Sequence, residues 1–96
     1  MKRILCLHLR RIWFDKVKSG EKMVEFKKAS PYWSGRLIGK SYDEVHVMLG
    51  YPNSNQADRI IKRKFNGYWR SVLVDHPEFG PGRVPVFAID VSVELS

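Results

Sequence analysis

Lys22 and Glu25 lie three residues apart just after Gly20, and Lys27 follows two residues later. An ammonium beside a carboxylate does chemistry when water is kept away. A partly desolvated lysine acts as a base, or holds a phosphate or carbonyl oxygen. Strict alternation along an extended segment sets Lys22 on the face of Val24 and Phe26, toward the core, and Met23, Glu25 and Lys27 on the other. The competing reading leaves Lys22 in the turn after Gly20, pointing to water, and makes Glu25 and Lys27 a surface charge pair contributing under about 1 kcal/mol. Lys22 and Glu25 are the candidate catalytic groups.

A second chemistry is carried by Lys62-Arg63-Lys64, flanked by Arg59 and Arg70 and interleaved with Phe65, Tyr68 and Trp69. Phosphate-binding charge mixed with rings that stack on bases is the composition of single-strand nucleic-acid grooves. Tyr32, Trp33 and Arg36 form another such group, and Tyr51, Lys22 and Lys27 extend it. The candidate contacts are therefore Lys22, Lys27, Tyr32, Trp33, Arg36, Tyr51, Arg59, Lys62, Arg63, Lys64 and Trp69. Each ring has a plainer role open to it, packing in a core or across a hairpin. His8, His46 and His76 are not at metal-ligand spacing and the single Cys6 cannot supply a zinc set, so no metal and no cofactor is expected. Phosphate-binding glycine loops and the G-x-S-x-G elbow are absent, which removes nucleotide hydrolysis and serine chemistry from consideration.

The elements that must position these groups can be read from periodicity. Ile4 to Leu9 is a short apolar run bounded by charge and predicts an opening strand. Ile12, Trp13 and Val17 recur at helical spacing over Arg10 to Ser19, with Lys16 and Lys18 in the last turn and Gly20 as the left-handed stop. Lys22 to Lys28 alternates as a half-exposed strand. Ala29 to Gly39, with Pro31, Gly35 and Gly39, predicts a structured loop displaying Tyr32 and Trp33. Val45, Val47 and Leu49 mark another strand, halted by Gly50 and Pro52. Between Arg59 and Val74, Ala57, Ile60, Ile61, Lys64 and Phe65 also fit a short helix. Asn66-Gly67 between β-branched and aromatic residues favours a hairpin instead. Pro77, Gly80, Pro81 and Gly82 predict a tight loop, and Phe87, Ile89, Val91, Val93 and Leu95 one face of a long final strand from about Val84. The order β-α-β followed by strands predicts an α+β domain, a small curled sheet or barrel with one or two short helices.

The chain has 96 residues, 44% of them hydrophobic, enough for one core, so residues 1–96 are expected to form a single domain. Its net charge of +7 is clustered. Residues 1–40 carry 11 basic and three acidic groups, and residues 59–70 five basic groups and no acidic one. That clustering is the electrostatic footprint of a nucleic-acid binder, and single-stranded RNA is the expected partner. A lone Cys6 within Ile4-Leu5-Cys6-Leu7 predicts a buried, inert thiol. With no internal disulfide available, the composition suits a reducing cytoplasm. The same apolar run is too short for a signal h-region or a membrane span, and no basic amphipathic helix points to a membrane surface.

Gly20-Glu21-Lys22-Met23-Val24-Glu25-Phe26-Lys27 resembles the G-x-K-x-x-E-x-R signature of ASCH domains, with Lys27 in place of the final arginine. The signature follows a first strand and a short helix, as it does in that family. The resemblance covers essentially the whole chain and implies a PUA-like β-barrel of five or six strands, with an RNA-binding or nucleotide-sized pocket near the motif. Some members are hydrolases of acylated cytidines. They place a lysine where this chain has Lys22, a threonine where it has Glu25, and a carboxylate on a later strand. The threonine is missing here, and Ile60 to Phe65 offers no obvious carboxylate. Ribonuclease activity, attributed to parts of the family, is the other hydrolytic expectation; either activity would be independent of metal.

Overall fold

In the computed structural model, which describes residues 1–95, six strands in two three-stranded sheets carry two helices, the α+β content expected. The first strand, β1 (Ile4–Leu9), buries Leu5, Leu7 and Leu9 and turns Cys6 and His8 to the opposite face. The first helix, α1 (Arg11–Lys18), ends before Gly20, whose φ of 85° is a left-handed conformation that glycine adopts at no steric cost. Its buried face is Phe14 and Val17, whereas Ile12 stands in solvent. Then follow β2 (Val24–Lys28), α2 (Pro31–Leu37), β3 (Glu44–Leu49), β4 (Ile60–Lys64), β5 (Tyr68–Asp75) and β6 (Arg83–Asp90).

One sheet has the order β1-β3-β4, with β1 parallel and β4 antiparallel to β3. The other has the order β2-β6-β5 and is antiparallel throughout. The core joins them: Leu5, Leu7, Val45 and Val47 from the first sheet meet Phe87 and Ile89 from the second, with Phe14, Val17 and Leu37 from the helices.

Three expectations are corrected. Ala29 to Gly39 is not a loop but contains α2. Ser30 Oγ accepts the Trp33 N–H and Pro31 occupies the first turn, so both helix-start signals are present. Residues Ile60 to Val74 are strands but not a hairpin, because β4 pairs with β3 and β5 with β6. Asn66-Gly67 instead carries the chain from one sheet to the other. The final strand stops at Asp90 and is buried on both faces from Val86 onward, where single-face alternation was expected.

The tail after β6 joins the sheets along one side: Glu94 bridges to Arg63, and the Lys64 N–H donates to Val93 O at 2.8 Å. On the other side no ladder links β1 to β2 among the described residues, so the six strands do not run as one closed ladder there.

Asp90 ties the crossing to the end of β6. Burial pushes its carboxyl up, but hydrogen bonds from Asn66 Nδ2, Ser92 Oγ and the Ser92 N–H outweigh burial and hold it below the usual carboxylate range. A depressed folded value gives stability that is complete above the unfolded value near about pH 4 and is lost as pH falls through the folded one. Asn66→Ala is expected to lower stability by about 1 kcal/mol at neutral pH. Urea unfolding at neutral and acid pH checks this, the gap to wild type narrowing as Asp90 is protonated.

Candidate functional site

The register of β2 decides where its charges go. Glu25 lies directly across from Ile89, and Lys27 across from Phe87. Directly opposed residues share a face. Glu25 and Lys27 therefore point inward with two core residues, and Val24 and Phe26 lie on the outer face with Asp90 and Ala88. This reverses the expected parity. Glu25 is buried, and its Oε1 lies 3.4 Å from Lys22 Nζ and accepts the Phe26 N–H at 3.2 Å, while Oε2 lies 3.7 Å from Lys27 Nζ. The Lys22 side chain is only 12% exposed, its ammonium held 4.7 Å from the Phe26 ring centre and 5.4 Å from that of Trp13. Lys22 thus does not point to water, and Glu25 and Lys27 are not a surface pair. One carboxylate flanked by two ammoniums is the arrangement that makes burial of charge tolerable.

Two cavities open beside this cluster, along the unpaired edges of β1 and β2. The first, about 330 Å³, is lined by His8, Trp13, Glu25, Lys27 and the turn His76 to Phe79. The second, about 630 Å³, is lined by Cys6, Lys27 and, from α2, Tyr32, Trp33 and Arg36. His8, Lys27 and Tyr51 line both, so the two are ends of one cleft. Lys27 spans its waist, with Nζ 3.5 Å from His8 O and 5.4 Å from the Trp33 ring centre. The Arg36 guanidinium lies 5.6 Å from the ring centres of both Tyr32 and Trp33, and Nη1 donates to Tyr32 Oη at 3.0 Å. Tyr51 is 86% exposed and stacks on His8 at 4.1 Å. Cys6 is half-buried and lines this cleft, correcting the expectation of a buried thiol.

The basic run is divided by strand alternation. Lys62 and Lys64 lie opposite His46 and Glu44, on the outer face of the first sheet, while Arg63 lies opposite Val45 and borders a separate pocket near Lys22 and Glu94. Trp69 lies opposite Ala88 on the outer face of the second sheet, more than half exposed. None of these four lines the cleft. Arg59 does better: with Arg10, Arg11 and Tyr51 it borders a groove that continues the cleft's rim. On the outer face of the first sheet, Glu44 takes hydrogen bonds from Lys2 at 2.7 Å and His46 at 2.8 Å, which hold its carboxyl below the usual range.

Of the expected contacts, Lys27, Tyr32, Trp33, Arg36 and Tyr51 come together, Lys22 braces them through Glu25, and Arg59 stands at the rim. Sequence reasoning missed His8, Trp13, His76, Glu78 and Phe79. His8 carried a signal, since it alternates with Leu7 and Leu9 in a strand that buries the leucines. The His76 turn carried none, because its position depends on the pairing of β5 with β6. Glu78 accepts a hydrogen bond from Trp13 Nε1 across this end of the cleft. Among the described residues no three His, Cys, Asp or Glu side chains gather as a metal site, and no helix is long and apolar enough to cross a membrane. Comparison with protein-family models, with curated proteins and with solved structures finds no match to this chain.

Proposed function

We propose that the cleft between β1 and β2 binds single-stranded RNA. The observation that carries this reading is the convergence of two cations, Lys27 and Arg36, with three rings, Tyr32, Trp33 and Tyr51, along one cleft. Charge among stacking faces suits phosphates alternating with bases. The cavity volumes fall in the range of about 300–1,000 Å³ typical of small-ligand sites, enough for a nucleotide. Resemblance to ASCH domains supports the same reading, since the Glu25 to Lys27 end of the Gly20 to Lys27 segment lines the cleft. Two sheets stitched on one side and parted on the other fit an open-sided PUA-like barrel. A cytoplasmic protein with a free thiol is part of this proposal.

Titration of a labelled single-stranded RNA at several salt concentrations tests it. With about three to six phosphates neutralised, the log–log slope of affinity against salt is expected to be roughly −2 to −4. Replacing Arg10, Arg11 and Arg59 together by Ala should flatten that slope, whereas replacing Lys62 and Lys64 should change it less. The opposite ranking moves the binding face away from the cleft to β4, at the far edge of the first sheet.

One observation favours a second reading, hydrolysis of an acylated cytidine: Glu78 brings to the first cavity a carboxylate from later in the chain. Against it, the threonine of the hydrolytic members is replaced by Glu25, which is engaged by two lysines. Chromatographic assay of an acylated cytidine is expected to show no turnover, and clear turnover by the wild type reverses the ranking.

A further inference from the structure

The carboxyl ends of the parallel strands β1 and β3 lie side by side, Leu9 across from Leu49, and both border a groove of about 490 Å³. Ligands bind by preference outside the carboxyl ends of parallel strands. Arg10 and Arg11, where α1 begins, and Arg59, just before β4, bring three guanidiniums to this groove. Among the described residues no acidic side chain lines it. Arg11 reaches Asp15 at 3.7 Å in an exposed pair, and neither Arg10 nor Arg59 forms an ion pair. The start of a helix favours acidic side chains, yet the first turn of α1 has none. The fold thus gathers positive charge here and leaves it unopposed. Gln56, whose Oε1 already accepts the Asn53 N–H at 2.8 Å, adds an amide donor.

We infer that this groove seats a terminal phosphate monoester of the bound RNA, an inference that rests on the RNA-binding reading. A phosphodiester within a strand has one negative charge and two non-bridging oxygens. A terminal monoester carries about −1.5 to −2 at neutral pH and has three free oxygens. Guanidinium forks take oxygens in pairs, so three arginines and Gln56 match the monoester better. Tyr51 sets where the strand ends. It lines the groove and both cavities of the cleft, and His8 covers one face of its ring, stacked at 4.1 Å. The free face takes one base, that of the terminal nucleotide, whose phosphate then meets Arg10 and Arg59. The nucleotides that follow run into the cleft toward Lys27, Trp33 and Arg36. A 5′-phosphate and a 3′-phosphate share this chemistry, and the end selected sets the direction of the strand.

The test compares three ten-nucleotide RNAs of one sequence, carrying a 5′-phosphate, a 3′-phosphate, or hydroxyls at both ends, as competitors of a labelled hydroxyl-ended strand. For the wild type, at least one phosphorylated strand should bind about tenfold or more tightly than the hydroxyl-ended one, a difference of about 1.4 kcal/mol. The strand that gains identifies the end. Arg59 is exposed, so Arg59→Ala should melt near the wild-type temperature, and it should cut the preference to within about twofold. Lys40→Ala removes one charge from an exposed position that does not line the groove, and should keep the preference. A wild-type preference below about tenfold, one that survives Arg59→Ala, or one lost equally in Lys40→Ala overturns the terminal seat. In each of these cases the strands still bind, and the binding reading stands. Absence of binding by all three strands overturns both.

Discussion

Glu25→Gln is expected to lower the stability of the domain by about 3 kcal/mol, the low end for breaking a buried ion pair. For a domain of this size that corresponds to a fall in melting temperature of roughly 12–24 °C. Among the described residues Glu25 is the one carboxylate that both Lys22 and Lys27 reach, and its side chain is only 8% exposed. An amide of the same shape leaves the packing intact but removes the charge, so two ammoniums with little access to water are left facing each other without a counterion. Lys22→Ala removes one partner and leaves Lys27, and should be milder. Thermal melts of both variants measure this. A Glu25→Gln melt within a few degrees of wild type would mean that water reaches the cluster freely, and that the charges do not shape the cleft.

Tyr51→Ala is expected to weaken single-stranded RNA binding by roughly tenfold to a hundredfold, the effect of losing about 1–3 kcal/mol of base stacking. Tyr51 lies at the junction of the two cavities and exposes most of its surface, so its removal takes little from the core. Affinity should fall while the melting temperature stays near wild type. Trp33 also lines the cleft but packs against the core, so truncating it would mix the two effects. Equal RNA affinity in wild type and Tyr51→Ala would place the bound strand away from this junction.

Much of the fold was legible because its strands obey simple alternation. Leu5, Leu7 and Leu9 against Cys6 and His8, and Val45 and Val47 in β3, announce their elements from local pattern alone. The α2 segment was obscured by Pro31, Gly35 and Gly39, which outweighed the Ser30-Pro31 start signal. Partner choice was beyond local reading. The Asn66-Gly67 pair signals a two-residue turn, but whether β4 and β5 pair with each other is settled by which sheet buries Ile61 and which receives β6. The same limit explains the inverted parity of β2: Val24 and Phe26 look like the core face until the register against Ile89 and Phe87 turns Glu25 and Lys27 inward. The cleft was half legible. Tyr32, Trp33, Arg36, Tyr51 and Lys27 have the right chemistry in the sequence. Their separation from Lys62, Lys64 and Trp69 is a consequence of strand order, which puts β4 at the far edge of the first sheet from β1 and β5 at the far edge of the second from β2.

The three tryptophans divide the surface in a way that a single titration can read. Trp13 lines the first cavity, Trp33 lines the second, and Trp69 stands away from both, on β5 at the outer face of the second sheet. In the nitrogen-15 NMR spectrum of the labelled protein, each gives one indole N–H resonance. Adding a short single-stranded RNA should shift or broaden the Trp13 and Trp33 resonances and leave that of Trp69 in place. A shift confined to Trp69, with Trp13 and Trp33 unmoved at saturating RNA, would contradict binding in the cleft between β1 and β2.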